Sequence, residues 1–222
     1  KVGKVMTAGH FQEFEDEYLE MMYQFYEKDP DARVRTGDLA EALRVTPAST
    51  TEMVQRLATK GFIDYLPYKG SALTEQGLIH GKKMKRRHRL AEVLLEHLPF
   101  NGNQHATACR LEHAIDDDLE VALTIYLNNP QIDPSGTPIP TMSEDIEGRV
   151  NSIRDGMRNL TQLRKDESSL IKMIVAGTND IAQLNNLGVT IGTTIQSLGD
   201  SSYLIGEMVI QISEELSLRI IV

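Results

Sequence analysis

Tryptophan is absent from this chain and cysteine occurs once, at Cys109. A lone cysteine forms no internal disulfide, so the fold requires no oxidising compartment. Long apolar runs are missing too: nothing approaches the roughly 20 consecutive apolar residues that span a bilayer. No charged-then-apolar stretch of the secretory kind opens the chain. A cytoplasmic protein without a membrane partner is therefore expected. The sequence also lacks an H-E-x-x-H pair, a glycine-rich phosphate loop and a nucleophile elbow, which argues against an enzyme.

Basic residues are outnumbered, 23 Lys and Arg against 32 Asp and Glu, for a net charge of -9. The deficit is uneven. Residues 33–89 hold 12 basic and 5 acidic side chains, a net of +7, so the remainder carries -16. A basic segment inside an acidic chain is the asymmetry of a localised polyanion-binding surface; the plainer reading is a solvated charged helix around Lys82 to Arg89. The 222 residues, 41% hydrophobic and 25% charged, suit one large or two small soluble domains.

The hydrophobic periodicity predicts a helix over Phe11 to Glu27, ended by Asp29-Pro30-Asp31. A short helix follows over Thr36 to Leu43, with Thr36 as N-cap. Thr46 and Pro47 open a third helix, which stops at Gly61. Phe62 to Pro67 and Ala72-Leu73 read as a hairpin around Tyr68 to Ser71. Helix, turn, helix and hairpin is the layout of a winged helix-turn-helix. Long helices are predicted over Thr74 to Leu98 and Gln104 to Leu127. A loop rich in proline and glycine, Asn128 to Thr141, follows. The C-terminal stretch reads as a small β-barrel: strands at 160–163, 168–175, 193–198, 208–212 and 216–221, with a helix over 180–186. The expected class is α+β, divided as winged helix 8–75, a helical domain 76–142, a linker 143–157 and a β domain 158–222.

In a winged helix the second helix of the motif puts its first turn in the major groove. Here that turn carries Thr46, Pro47, Ala48, Ser49, Thr51 and Glu52. Short hydroxyls bond phosphates or base edges, and Ala and Pro pack on thymine methyls. Glu52 has to face a cytosine amino group or solvent. Arg44, Arg56, Lys60 and Lys69 are candidate phosphate clamps, with Tyr68 at the wing tip. Few of these side chains make bidentate base contacts, so double-stranded DNA is expected to be recognised in part by shape.

Cys109, Glu112 and His113 stand at i, i+3 and i+4, with His105 one turn earlier. At 100° per residue the four fall within an arc of about 100°. Mixed sulfur, nitrogen and oxygen donors suit a borderline divalent transition metal. His88 and Glu92 form a second i, i+4 pair, and Glu17 and Glu20 an i, i+3 pair. Each pair alone also reads as a surface contact worth about 0.3 kcal/mol.

With these motifs in order, the chain resembles the diphtheria toxin repressor family of iron- and manganese-dependent regulators, in its iron-dependent branch. The resemblance rests on residues 45–63 (VTPASTTEMVQRLATKGFI), 73–77 (LTEQG), 88–92 (HRLAE), 108–113 (ACRLEH) and 136–140 (GTPIP). It implies a helical metal-binding and dimerisation domain and a C-terminal SH3-like (FeoA-like) domain. It implies an activating metal site of Cys109, Glu112 and His113 with Glu17 from the first helix, where Glu20 matches a further carboxylate of the manganese branch. It implies an ancillary site of His88, Glu92 and His105, with Asp180 from the SH3-like domain; Gly177 departs from the family's other ligand there. A homodimer built on the helices around His105 to Leu127 and a palindromic operator are implied as well. The Cys109 thiolate favours Fe(II); Glu17 and Glu20 favour Mn(II), and other divalent transition metals are expected to substitute in vitro. The alternatives from the residues are a winged-helix sensor of an organic ligand or of Cys109 oxidation, and a metalloenzyme.

Overall fold

The computed structural model describes residues 8–222. The chain divides into two compact units. One is built from residues up to Leu95 with Phe100–Asp116 and Gln131–Ser143; the other from Glu96–Pro99, Asp117–Pro130 and Glu144–Val222.

In the first unit, α1 (Ala8–Lys28) buries Tyr18, Leu19, Met22 and Tyr23 along one stripe. These pack with Leu39 of α2 (Thr36–Leu43) and with Val54 and Leu57 of α3 (Pro47–Thr59). The N-cap of α2 is Arg35, one residue before the expected Thr36, and it makes no side-chain cap bond. α3 begins as its sequence dictates: the Thr46 hydroxyl accepts from the Ser49 N–H at 3.2 Å, and Pro47 occupies the first turn. Arg44 adopts a left-handed conformation, φ 56°, and makes the turn between α2 and α3. The wing pairs β1 (Ile63–Leu66) with β2 (Gly70–Leu73), and Val34 adds a bridge to Ser71. A Cβ on Gly70, φ 100°, would lie 2.6 Å from the Val34 carbonyl oxygen, so this close approach needs glycine.

α4 (Glu75–His97) is the central helix of this unit, and it overturns the reading of the basic run. Lys85, Arg86, Arg87 and Arg89 are all buried. Lys85 bonds Glu20 and Gln24, Arg86 the Pro140 carbonyl, and Arg89 both Glu27 and the Pro138 carbonyl. Four of the 12 basic side chains assigned to a polyanion surface are thus internal: α1 and the loop 133–140 cover this face of α4 with carboxylates and carbonyls.

The helix expected over Gln104 to Leu127 is two. α5 (Gln104–Leu111), capped by the Asn103 side chain, ends in a turn, and α6 (Asp117–Tyr126) restarts on Asp117, Asp118 and Glu120. Acidic residues are stabilised by the N-terminal dipole of a new helix. α6 belongs to the second unit, where Arg149 of α7 (Glu144–Asp155) pairs with Asp118. α7 lies within the segment read as a linker; Ile146 and Val150, one turn apart, are its buried stripe.

The C-terminal β elements form an antiparallel sheet in the order β3 (Ser168–Leu170), β5 (Thr194–Gly199), β6 (Ser202–Ile205), β7 (Met208–Gln211), and a second ladder of β4 (Met173–Ile174) with β8 (Ile220–Ile221). Two expected strands differ. Leu160–Gln162 is a 3-10 turn closed by an Asn159–Gln162 capping box, and residues 214–217 form the short helix α9 on a Ser213 cap. β6 escaped the sequence reading because it follows β5 across only Asp200 and Ser201, both at positive φ. α8 (Thr178–Asn186) contributes Leu184 to a core with Leu160, Ile171, Val189, Ile195 and Ile220.

The approach of α1 to α4 is set by Gly81, where a Cβ would lie 2.5 Å from the Leu19 carbonyl oxygen and 3.0 Å from the Tyr23 Cβ. Gly81→Ala should destabilise the first unit by about 1–3 kcal/mol in urea unfolding, despite alanine's better helix propensity. A gain of about 1 kcal/mol would show that the two helices can part freely.

Candidate metal centre

Three segments bring titratable side chains to one place. α1 supplies Asp16 and Glu20 and α4 supplies His80, His88 and Glu92. α5 supplies His105 and Cys109, and the turn after it Glu112 and His113. His88 is the junction. Its Nδ1 lies 2.5 Å from Glu112 Oε2 and 3.8 Å from Glu20 Oε1, and its Nε2 lies 3.2 Å from Glu92 Oε1. The His105 ring meets it edge-on at 5.0 Å between centroids, and the Cys109 Sγ is 3.9 Å from His105 Nε2. Two donor groups, each with its atoms within 4.8 Å of one another, result: Glu20, His88 and Glu112, and His88, His105 and Cys109.

This sorts the donors differently from the family-based expectation. Cys109 stands one helical turn after His105 and keeps company with the histidines. Glu112 and His113, beyond the last turn of α5, meet α1 and α4. Of the first-helix pair, Glu20 is in a donor group. Glu17 is half-buried; burial raises its pKa, His113 lowers it, and Glu20 and Glu13 raise it further. Asp180 lies in the first turn of α8, capped by Gly177, on the second unit.

Sequence reasoning missed Asp16 and His80. Asp16 Oδ1 is 2.6 Å from His80 Nε2, and its Oδ2 is 3.5 Å from His113 Nδ1. The available signal was the i, i+4 spacing of Asp16 and Glu20, which puts both on one face of α1.

Burial pulls the His88 pKa down, but the Cys109 thiol, Glu112, Glu92 and Glu20 outweigh it and push the imidazole up to about 12. Burial raises Glu112 to about 7 against the pull of His88, helped by the Glu20 charge. Burial also raises Glu92, yet His88 and His105 hold it down at about 2. His113 is raised: Asp16 and the charges on Glu112 and Glu17 exceed its desolvation.

Glu112 Oε1 and both ring nitrogens of His113 are buried without a hydrogen-bond partner. The 3.5 Å approaches of His113 to Asp16 and Glu112 are outside hydrogen-bonding geometry. Buried polar atoms normally find partners, and those left over call for an explanation such as an ion. Carboxylate oxygens, imidazole nitrogens and a thiol are the donor set of a divalent transition metal, so the residues fit such an ion. A cavity of about 840 Å³ gives access to His88, Glu92 and His105.

On the DNA-facing side, Thr46, Pro47, Ala48, Ser49 and Glu52 are exposed on the first turns of α3. The Thr51 hydroxyl is spent on the Pro47 carbonyl at 2.8 Å. Tyr68 is fully exposed at the wing tip beside exposed Lys69, and Arg44 is exposed at the helix-helix turn. Arg56 and Lys60 are exposed in part but engaged with Glu15. Asp16→Asn should lower the His113 pKa, followed by NMR titration of the imidazole in metal-free protein; an unchanged value would remove Asp16 from this site.

Residues 10–71 match the family described as the iron dependent repressor, N-terminal DNA binding domain, and residues 74–141 its metal binding and dimerisation domain. An HTH-type transcriptional regulator of Methanocaldococcus jannaschii is 35% identical over 50% of this chain and 90% of its own length. The iron-dependent repressor IdeR of Mycobacterium tuberculosis is 35% identical over 57% of this chain, and the match spans 55% of that repressor. MntR of Oceanobacillus iheyensis is 31% identical over 66% of this chain and 90% of its own length. Among solved structures, the manganese regulator SloR shares the fold over 93% of this chain and 96% of its own, with a TM-score of 0.51 at 22% identity. With a winged helix-turn-helix, a helical domain of clustered metal donors and a C-terminal β domain, this chain belongs to the iron-dependent repressor family of metal-dependent transcriptional regulators and is not an enzyme.

Proposed function

We propose that this repressor acts in the cytoplasm and binds operator DNA as a homodimer when Fe(II) is present, controlling genes of iron homeostasis. The observation that carries the reading is the convergence of α1, α4 and α5 on two donor groups that share His88, beside the buried, unpaired Glu112 Oε1 and His113 ring nitrogens, in the unit that also holds the winged helix. Cys109 is the reason for preferring Fe(II), since thiolate favours the softer ion. A second reading, Mn(II), draws on Glu20 and Glu112, whose carboxylates with His88 form a harder donor group.

A bound divalent cation supplies positive charge shared by carboxylates of α1 and donors of α4 and α5. Glu20, His88, Glu112 and Cys109 are the residues we assign to hold it, with Glu17, Glu92, His105 and His113 completing the sites. Asp180 of the SH3-like domain is a further candidate ligand. Glu112 Oε1 and His113 would then lose their unpaired status, and α1 would be fixed on the unit that carries α3. The N-terminal turn of α3, from Thr46 to Glu52, is the element assigned to the major groove, with Arg44, Tyr68 and Lys69 on the backbone. Two such modules in a dimer call for a palindromic site.

Anisotropy of a labelled operator fragment under anaerobic conditions should show binding with Fe(II), binding weaker by about tenfold or more with chelator, and a loss of about tenfold or more in metal response for Cys109→Ala. Equal affinity with and without metal would remove the sensor reading, and a stronger response to Mn(II) than to Fe(II) would select the second.

The metal-free site holds protons that a cation must displace, on His88 with its pKa near 12 and on Glu112 near 7. Both shifts are upward, so metal affinity falls as pH falls. Isothermal titration should show at least about one log unit of weakening per pH unit above pH 7, from His88 and any proton the Cys109 thiol must give up, becoming steeper below it as Glu112 also takes up a proton. A flat profile between pH 8 and pH 6 would contradict a site built on these two groups.

A further inference from the structure

Arg56, in the last turn of the recognition helix α3, and Lys60, its C-cap, stand about one turn apart and read from sequence as phosphate clamps. Both are held by Glu15 of α1. Arg56 Nε lies 2.7 Å from Glu15 Oε1, and Lys60 Nζ lies 2.7 Å from Oε2 and 2.8 Å from Oε1. The exposures are unequal: the Glu15 side chain is 8% exposed, those of Arg56 and Lys60 42% and 44%. The carboxylate is therefore fixed in the protein while its two cations sit at the surface.

Its place on α1 is equally specific. One turn further on, the Tyr18 hydroxyl is 3.4 Å from Thr50 Oγ1, and Leu19 and Met22 share a core with Val54 and Leu57. Glu15 thus extends the contact between α1 and α3. Asp16, the next residue, turns about 100° around the helix and meets His80 and His113 instead.

We propose that Glu15 is a positioning residue that withholds Arg56 and Lys60 from the DNA backbone, an internal carboxylate competing with phosphate for both cations. A cation leaving for phosphate breaks a pair with a buried carboxylate, and an unpaired buried carboxylate is strongly disfavoured. While α1 sits against α3 in this way, the two cations add little to the phosphate grip. The recognition helix then relies on Arg44, Lys69 and the short side chains of its first turn. Since Glu15 and Asp16 are adjacent on one helix, a shift of α1 that rearranges Asp16 also changes the hold on α3.

The inference rests on the reading of this chain as a DNA-binding repressor, and its test needs only the sequence-independent part of that binding. Each phosphate neutralised adds about 0.9 to the slope of log affinity against log salt. The full chain, treated with chelator, is titrated by anisotropy onto a mixed-sequence duplex of about 30 base pairs over about 30–200 mM NaCl. Glu15→Gln should bind more tightly at low salt, with a slope steeper by about 0.9–1.8. Weaker binding with an equal or shallower slope would overturn the proposal, since Glu15 would then be presenting the cations. Lys60→Gln, with Glu15 intact, provides a check that does not depend on the fold of the Glu15 variant. It should change the slope by less than about 0.3, and a loss of about 0.9 would overturn masking. In the Glu15→Gln background the same change should remove about 0.9. Failure of the wild type to bind duplex both in chelator and with Fe(II) or Mn(II) would instead refute the DNA-binding reading and the inference with it.

Discussion

Glu112 and His88 meet at 2.5 Å with almost none of either side chain exposed. Burying two ionisable groups is costly unless geometry and further hydrogen bonds compensate for lost water. Much of the first unit is that compensation. Glu20 comes within 3.8 Å on one side of His88, and Glu92 takes its other nitrogen. Lys85 neutralises Glu20 in turn, and Arg89 ties α4 to Glu27 and to the loop carbonyl of Pro138. The buried cations of α4 are thus the counterweight to a carboxylate-rich centre. For α1 to bring Glu20 so near, α4 must present no side chain where the two helices cross, and Gly81 meets that requirement.

Helical spacing made part of this legible. Cys109, Glu112 and His113 at i, i+3 and i+4, and His88 with Glu92, announce donors on shared faces without any knowledge of the fold. Which donors meet across helices is a different matter. It depends on where α1 crosses α4, and that is set by backbone contact at Gly81, which no periodicity in the acidic run of α1 encodes. Asp16 is lost among its acidic neighbours for this reason, and an arc that holds His105, Cys109, Glu112 and His113 together does not say which of them face α1 and which face α4. The basic run on α4 misled for a related cause: long cationic side chains are usually solvated, and only tertiary context puts Arg86 and Arg89 inside. In the C-terminal unit, the apolar run at 160–163 has strand composition, yet an Asn159 cap and Gln162 turn it into a 3-10 helix. Local capping outcompeted propensity there.

The recognition helix illustrates the limit of reading charge as function. Arg56 and Lys60 are cationic and surface-placed, which is all that a sequence can say of a phosphate clamp. Glu15, 41 and 45 residues away in the chain, decides what they are free to do. Exposed ion pairs usually contribute little because water and salt screen them. Here the carboxylate is the buried member, so screening acts on one side only, and the pair is better retained than its exposed cations alone would indicate.

Coupling between two sites requires one element with two arrangements that each site biases differently. α1 qualifies on chemistry: within six residues it faces α3 through Glu15 and the donor cluster through Asp16 and Glu20. A packed core moves its helices as units, so changes at one of these contacts are felt at the other. The magnitudes are commensurate. Leaving a buried polar group unpaired costs about 1–3 kcal/mol, and Glu112 Oε1 with the two His113 nitrogens supplies three such atoms. Allosteric coupling free energies run to about 1–3 kcal/mol. On the proposed reading, satisfying even one of those atoms through a bound cation would release free energy of the size needed to shift α1, and with it the balance of charge on the helix assigned to read DNA.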